Sequence, residues 1–228
     1  MKIKSLNSKL FIMVENEKLK IISDYWDEQS SGFDEAHNTE DLSLWKKALE
    51  ESIALGGKGK VLDVGCGTGF LAMMCSELGY ETFGADFSEK MLSLAVEKAK
   101  VRKLPITYKK SSCETLPFEN DEFDAVVNCR VMWTLTDPVA AVSEWKRVLK
   151  NGGKVISFMR MMNVEKEDGN KREGYYGNSV KLPLSKAGRD EYVQVYKDSG
   201  LKKITTIELP AELSSADMPG WTVFIGEK

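Results

Sequence analysis

Apolar and polar positions change rhythm along this chain. From residue 60 onward, short continuous apolar runs alternate with stretches of helical spacing. KVLDV (60–64), TFGAD (82–86), ITYKKS (106–111), FDAVVN (123–128) and GGKVISFM (152–159) read as strands, with helices over 68–78, 89–102 and 138–149. Strands buried on both faces carry unbroken apolar runs, so this order predicts parallel strands joined by helical crossovers. Upstream, 5–29 and 40–55 predict two helices, the second with Leu42, Trp45, Leu49 and Ile53 on one face, separated by the polar loop SGFDEAHNTE. After residue 160 the pattern gives way to a polar stretch, followed by a helix near 188–199 and the strands KKITTIEL and WTVFIGE. Asp137 before Pro138 predicts a capped helix start, and Asn151-Gly152-Gly153 a left-handed stop.

No repeat or Pro/Gly-rich linker interrupts this pattern, so a single domain is expected over 1–228. Its parts are an N-terminal helical cap (1–57), a core (58–160), a variable excursion (161–187) and a C-terminal helix with strands (188–228). A long excursion between core elements is more often functional than neutral, so 161–187 is expected to face a substrate.

Composition narrows the function classes. Against 35 acidic residues stand 32 basic ones, a net charge of −3, so no global field recruits nucleic acid or an anionic membrane. The N-terminal residues offer neither a signal-peptide core nor a membrane span, and a cytoplasmic location is expected. Cys66, Cys75, Cys113 and Cys129 lack the spacing of a zinc site or a C-x-x-C pair and are expected to be buried free thiols, with no metal. Lysine pairs 109–110 and 202–203 read as solvated strand edges.

The chemistry concentrates in VLDVGCGTG (61–69), where an apolar strand runs into three glycines and then a helix. Glycines let a ligand approach the backbone and supply positive φ. The spacing is G-x-G-x-G, with Phe70 where a dinucleotide fingerprint would place its last glycine, which disfavours nicotinamide binding. The next strand ends in Gly84-Ala85-Asp86-Phe87-Ser88, and Asp86 has the spacing of an acid that accepts from both ribose hydroxyls. An adenosine-bearing ligand satisfies both features. Asp63 either faces that ligand or caps the helix after the turn.

The ordered set VLDVGCGTG, GADFS, LPFENDEFDAVV and WKRVLKNGGKV resembles the class I S-adenosylmethionine-dependent methyltransferases, in their small-molecule branch, over roughly residues 25–160. The resemblance implies a Rossmann-like, doubly wound, seven-stranded sheet whose last strand is antiparallel, S-adenosylmethionine as cofactor and S-adenosylhomocysteine as product. It implies cofactor contacts from Tyr25, Asp63, Gly65, Cys66, Gly67, Thr68, Gly69, Asp86, Phe87, Ser88, Met91 and Arg130. The family often has an aspartate before the ETLPF-like segment to reach the adenine. Here Ser112 and Cys113 stand there instead, so backbone groups and Glu114 are expected to take that part. The acceptor side is expected to include Trp26, Trp133, Tyr175 and Tyr176, with Met159, Met161 and Met162 as further lining or core.

Asn128-Cys129-Arg130-Val131 lacks the (Asp/Asn/Ser)-Pro-Pro-aromatic tetrad of enzymes that methylate exocyclic amines of nucleic-acid bases, which favours a small-molecule N, O, S or C nucleophile. No catalytic residue is identified. His37, the only histidine, is either a solvated loop residue or the general base, and Tyr25 is a second candidate. Trp26 and Phe33 either pack the N-terminal helix on the sheet or line a lid. Competing readings are a nucleic-acid or protein methyltransferase and a non-catalytic adenosine-binding module; the sequence does not distinguish a monomer from a homodimer.

Overall fold

The computed structural model describes residues 17–35, 41–161, 176, 180, 182–213 and 220–228. Seven strands form one sheet: β1 (Lys60–Val64), β2 (Glu81–Asp86), β3 (Ile106–Lys110), β4 (Phe123–Cys129), β5 (Leu149–Arg160), β6 (Lys202–Glu208) and β7 (Trp221–Glu227). Their order is β3-β2-β1-β4-β5-β7-β6; β1 to β5 pair in parallel, and β7 runs antiparallel to both β5 and β6. This is the doubly wound sheet with an antiparallel last strand expected from the sequence. Six helices accompany it among the described residues: α1 (17–29), α2 (Leu42–Ile53), α3 (Phe70–Glu77), α4 (Glu89–Arg102), α5 (Pro138–Val148) and α6 (Arg189–Asp198). The part of the first expected helix before residue 17 lies outside the described residues.

Period-two alternation sends strand side chains to two cores. On one face Leu62, Val126, Val155 and Phe224 pack with Trp145 of α5 and Tyr192 and Tyr196 of α6. On the other Val61, Val127, Ile156, Phe158 and Val223 pack with Trp45 of α2 and Leu71 and Cys75 of α3. Because β1 pairs with β2 on one side and with β4 on the other, connections leave it in opposite directions. The crevice this opens at the strands' carboxyl ends is where such sheets hold ligands.

Local chemistry sets the ends. Asp41 accepts from the N–H groups of Ser43 and Leu44 at the start of α2, and Asp137 accepts from Ala140 N–H with Pro138 at the first position of α5. The stop after α5 differs from expectation. The helix ends at Val148, Leu149 is extended and pairs with Phe123, and Gly152 (φ +78°) serves a bend inside β5, where the register with β4 shifts. Burying Leu149 against the sheet draws the chain out of the helix before the glycine is reached.

All four cysteines are free, but only Cys66 and Cys75 are buried; Cys113 and Cys129 are half-buried. Lys109–Lys110 and Lys202–Lys203 do lie on the two edge strands. Among the described residues no helix is long and apolar enough to cross a membrane, and no group of His, Cys, Asp and Glu could hold a metal ion.

Gly84 in β2 has ordinary strand dihedrals, yet a Cβ there would lie 2.6 Å from the Tyr108 ring. Overpacking of this kind costs about 1–3 kcal/mol. Gly84→Ala is therefore expected to lower stability by about that amount, and much less in a Tyr108→Ala background, as measured by a double-mutant cycle of denaturant melts. Equal losses in both backgrounds would place the cause elsewhere.

Candidate functional site

The loop after β1 is built to be approached. Gly65, Gly67 and Gly69 all have positive φ, at +65°, +51° and +90°. The N–H groups of Gly65 and Cys66 both donate to the Ala85 carbonyl (2.8 and 3.0 Å), which ties the loop to the end of β2. A Cβ on Gly65 would strike Val131 at 2.5 Å, so that glycine serves packing. Around Gly67 nothing lies within 4 Å of the same point, so its backbone stands open to the crevice.

Asp86, at the end of β2, meets this loop. Gly67 N–H donates to one carboxylate oxygen (2.8 Å) and Ser88 N–H to the other (2.9 Å). Burial pushes the Asp86 carboxyl up, and the donors from Ser88 and Gly67 pull it back. Phe87 N–H adds a third donor, which leaves the carboxylate acceptor capacity for a ribose hydroxyl. Beyond it, the Ser88 hydroxyl caps α4 by accepting from the N–H of the buried Met91. The Ser111 hydroxyl and Tyr108 phenol nearby are buried without a hydrogen-bond partner. Open backbone at Gly67 and a carboxylate fixed beside it together fit an adenosine-bearing ligand.

Two of the acids point elsewhere. Asp63 is 2% exposed and accepts from Ala72 N–H (2.9 Å) in the first turn of α3, so the helix-capping alternative holds for this oxygen. Burial pushes its carboxyl well up, the Ala72 donor opposes, and the charge of Asp86 adds to the rise. Glu114, expected toward the adenine, instead accepts from the Thr136 hydroxyl (2.9 Å) and Asp137 N–H (3.2 Å), bracing the entry to α5. Ser112 bridges back to Thr115, and the Cys113 carbonyl accepts from the Trp145 indole at 2.8 Å. Burial also pushes the thiols of Cys66 and Cys113 well up, which keeps them as packing groups.

Residues 23–34 form a strap across the crevice. The Ser23 hydroxyl donates to Phe87 O, and Asp27 accepts from the Ser88 hydroxyl and from Lys90 N–H at the start of α4. At the far end Asp34 accepts from the Thr68 hydroxyl (2.6 Å) and Lys98 (2.6 Å). The strap thus holds both cofactor-side loops. Asp27 and Asp34 have no part in the sequence expectations, because the hydroxyls that pair with them lie 61 and 34 residues away.

The strap also brings in the aromatic candidates. Trp26 donates its indole N–H to the Tyr176 hydroxyl at 2.6 Å. Tyr25 packs edge-on to Trp26 (5.2 Å) and to Tyr176 (5.3 Å), and Trp26 edge-on to Phe33 (6.2 Å) and Trp133 (6.5 Å). Burial raises the Tyr176 phenol, so it serves as a neutral hydrogen-bonding group. Met159 is wholly core, and Met161 packs against the same cluster. Arg130 sits on the other side, over Phe70 and Trp221. His37, Met162 and Tyr175 lie outside the described residues.

Residues 62–157 match the family described as a methyltransferase domain. A ubiquinone/menaquinone biosynthesis C-methyltransferase of a Geobacter species is 33% identical over 120 residues, covering 49% of this chain and 50% of the relative. A ubiquinone biosynthesis O-methyltransferase of Cereibacter sphaeroides is 34% identical over 97 residues, covering 42% and 39%. The chain spans half or less of the length of these curated relatives. Among solved structures, a Haemonchus contortus phosphoethanolamine N-methyltransferase, in complex with phosphomonomethylethanolamine and S-adenosylhomocysteine, shares the fold with a TM-score of 0.66. It is 20% identical and is matched over 81% of this chain and 52% of its own.

A carboxyl whose folded pKa is raised contributes stability that is present below its unfolded pKa and lost as pH rises through the folded one. Asp63→Asn keeps an acceptor for Ala72 and removes the buried charge. Thermal melts are expected to show the variant several degrees more stable than the parent at pH 8 and equal to it near pH 3; an equal or lower melting temperature at pH 8 would contradict this. For the strap, Asp34→Ala is expected to speed amide hydrogen exchange across 23–35 while exchange in β1, β4 and β5 stays at its original rate, and a uniform increase would show that the strap does not open on its own.

Proposed function

We propose, for a chain whose residues 62–157 match a methyltransferase domain, that it is a class I S-adenosylmethionine-dependent methyltransferase, which transfers a methyl group from S-adenosylmethionine to a small-molecule N, O, S or C nucleophile and releases S-adenosylhomocysteine. The observation that carries this reading is the pairing of Asp86 with the open glycine loop through Gly67 N–H. Asp86 would hold the ribose hydroxyls, Gly65 to Gly69 the methionine side, and Phe87, Met91, Ser112 and Cys113 the adenine. The cofactor supplies an activated methyl on a sulfonium; the chain's residues have to bind it, orient the acceptor and exclude water. Alignment of nucleophile and methyl carbon supplies about 7–11 kcal/mol in well-oriented systems. A site without a Ser-His-Asp or metal constellation among the described residues is therefore adequate for this chemistry.

Tyr25, Trp26, Trp133 and Tyr176 would form the acceptor wall. A small acceptor is supported by the quinone-biosynthesis C- and O-methyltransferases among the relatives and by the lack of a base-methylating tetrad at Asn128–Val131. The near balance of charge, with no membrane-crossing helix among the described residues, supports a cytoplasmic enzyme.

Calorimetric titration with S-adenosylmethionine, S-adenosylhomocysteine and NADH tests the assignment. Saturable binding of the two sulfur compounds alone is expected, with Asp86→Ala weakening both at least a hundredfold while circular dichroism stays unchanged. Turnover of a thiol, amine or phenol then separates an enzyme from a binding module. Undiminished affinity in Asp86→Ala would remove the assignment of the site.

A further inference from the structure

The connection from β3 to β4 has to cross two strands in the order β3-β2-β1-β4, yet residues 111–122 contain no helix. An irregular crossing of this kind presents backbone N–H and C=O groups that need partners. It begins at the candidate site, where Ser111 N–H donates to Asp86 O at 3.0 Å. Burial pushes the Cys113 thiol well up and the charge of Asp86 adds to the rise, so Cys113 also stands near that carboxylate. The partners for this crossing come from the last turns of α5. Trp145 donates its indole N–H to Cys113 O (2.8 Å), and Glu144 accepts from Leu116 N–H (2.8 Å). Arg147 donates to Leu116 O (3.2 Å), to Phe118 O (2.9 Å) and to the side-chain oxygen of Asn120 (2.7 Å). The same guanidinium grips Glu144 with two prongs, Nε on one carboxylate oxygen (2.7 Å) and Nη2 on the other (2.8 Å).

A planar fork on a carboxylate fixes direction as well as distance, and the pairing holds the Glu144 carboxyl below its usual range. One helical turn, 144–147, therefore sets the place of the whole crossing, with the buried Phe118 packed edge-on against Phe83 (6.0 Å) and Phe123 (5.0 Å). The function proposed above puts a ribose on Asp86, and so its base on the segment that departs beside that acid, residues 112–114. Glu114, the only acid of that segment, is turned to Thr136 and Asp137. With that carboxylate engaged, selection of a base depends on where the backbone of the loop is held. We infer that Glu144 and Arg147 are positioning residues for base selection: resting on the function proposed above, they hold residues 112–118 in the one place where the site takes adenine in preference to another purine. Both act through the loop and neither needs to touch the ligand.

The test titrates the wild-type protein and the variants Arg147→Met, Arg147→Lys and Glu144→Gln with three ligands. These are S-adenosylhomocysteine, S-inosylhomocysteine (in which a carbonyl replaces the amino group of the base) and S-ribosylhomocysteine (which lacks the base). The wild type is expected to prefer the adenosyl to the inosyl compound by about tenfold or more, the worth of one or two well-placed hydrogen bonds. Arg147→Met is expected to lose most of that preference while S-ribosylhomocysteine binds as before. Arg147→Lys, which keeps the charge without the fork, is expected to behave like Arg147→Met, and Glu144→Gln, which keeps an acceptor for Leu116 N–H, to retain more of the preference than either. A folded Arg147→Met protein with the wild-type preference overturns the inference, as does an equal loss for all three ligands, which is the mark of general destabilisation. If Arg147→Met does not fold, Arg147→Lys decides in the same way. Wild-type protein that binds the adenosyl and inosyl compounds equally overturns base selection and leaves the methyltransferase reading standing; wild-type protein that binds none of the three removes that reading and this inference with it.

Discussion

The hydrogen bond from Gly67 N–H to the Asp86 carboxylate is the contact on which the rest of the site depends. It exists only because β1 and β2 are adjacent, parallel and in a register that pairs Val64 with Ala85. That register puts the turn after one strand beside the last residue of the other. It also needs positive φ at Gly67, which aims a backbone N–H at the carboxylate while leaving the outer side of the residue open. Sheet order and one glycine conformation thus produce a carboxylate with fixed direction and remaining acceptor capacity.

Burial near this contact sets up an electrostatic tension. Asp63 and Asp86 are both pushed up by desolvation; the charge of Asp86 adds to the rise at Asp63, and that of Asp27 to the rise at Asp86. A cationic ligand would relieve that pressure, so a sulfonium-bearing cofactor suits the crevice. Yet the same carboxylates favour the cation that methyl transfer destroys, and only interactions stronger in the transition state accelerate a reaction. In such a site the acids contribute to binding, and the rate has to come from alignment of the acceptor.

Much of this was legible in the sequence for a local reason. Each strand is a short apolar run, and the glycine loop with its following acid lies within 26 consecutive positions, 61–86. Backbone geometry is written by glycines at fixed spacing and can be read without knowing what packs where. Side-chain direction is another matter. Asp63 and Glu114 both stand where a ligand contact was expected, but the first turn of α3 and the entry to α5 carry unsatisfied N–H donors that claim these carboxylates. The Asn-Gly-Gly sequence looked like a helix stop, whereas the pull of Leu149 into the core, a tertiary effect, moved the end of the helix forward. Nothing local marks Arg160, at the end of a strand, as the partner of a tryptophan 61 residues later.

The aromatic cluster proposed as the acceptor side follows a different logic from the loops around Asp86. Its rings come from the strap, the turn after β4 and Tyr176, so its shape is set by how three separate segments close on one another. The strap joins the two halves: Ser23, Asp27 and Asp34 hold it on the loops beside Asp86 and Gly67, while Tyr25 and Trp26 of the same turns belong to the aromatic cluster proposed as the acceptor wall. These anchors are hydrogen bonds and ion pairs at half-exposed positions, individually weak and each able to exchange with water. Such a strap can open without unfolding the sheet. Opening it would uncover the glycine loop and dismantle the aromatic cluster together, so under the proposed function an acceptor would meet a finished wall only after the nucleoside side had been covered. Under the proposed function the strap would couple cofactor loading to acceptor recognition through one short segment, held by contacts that exchange with water.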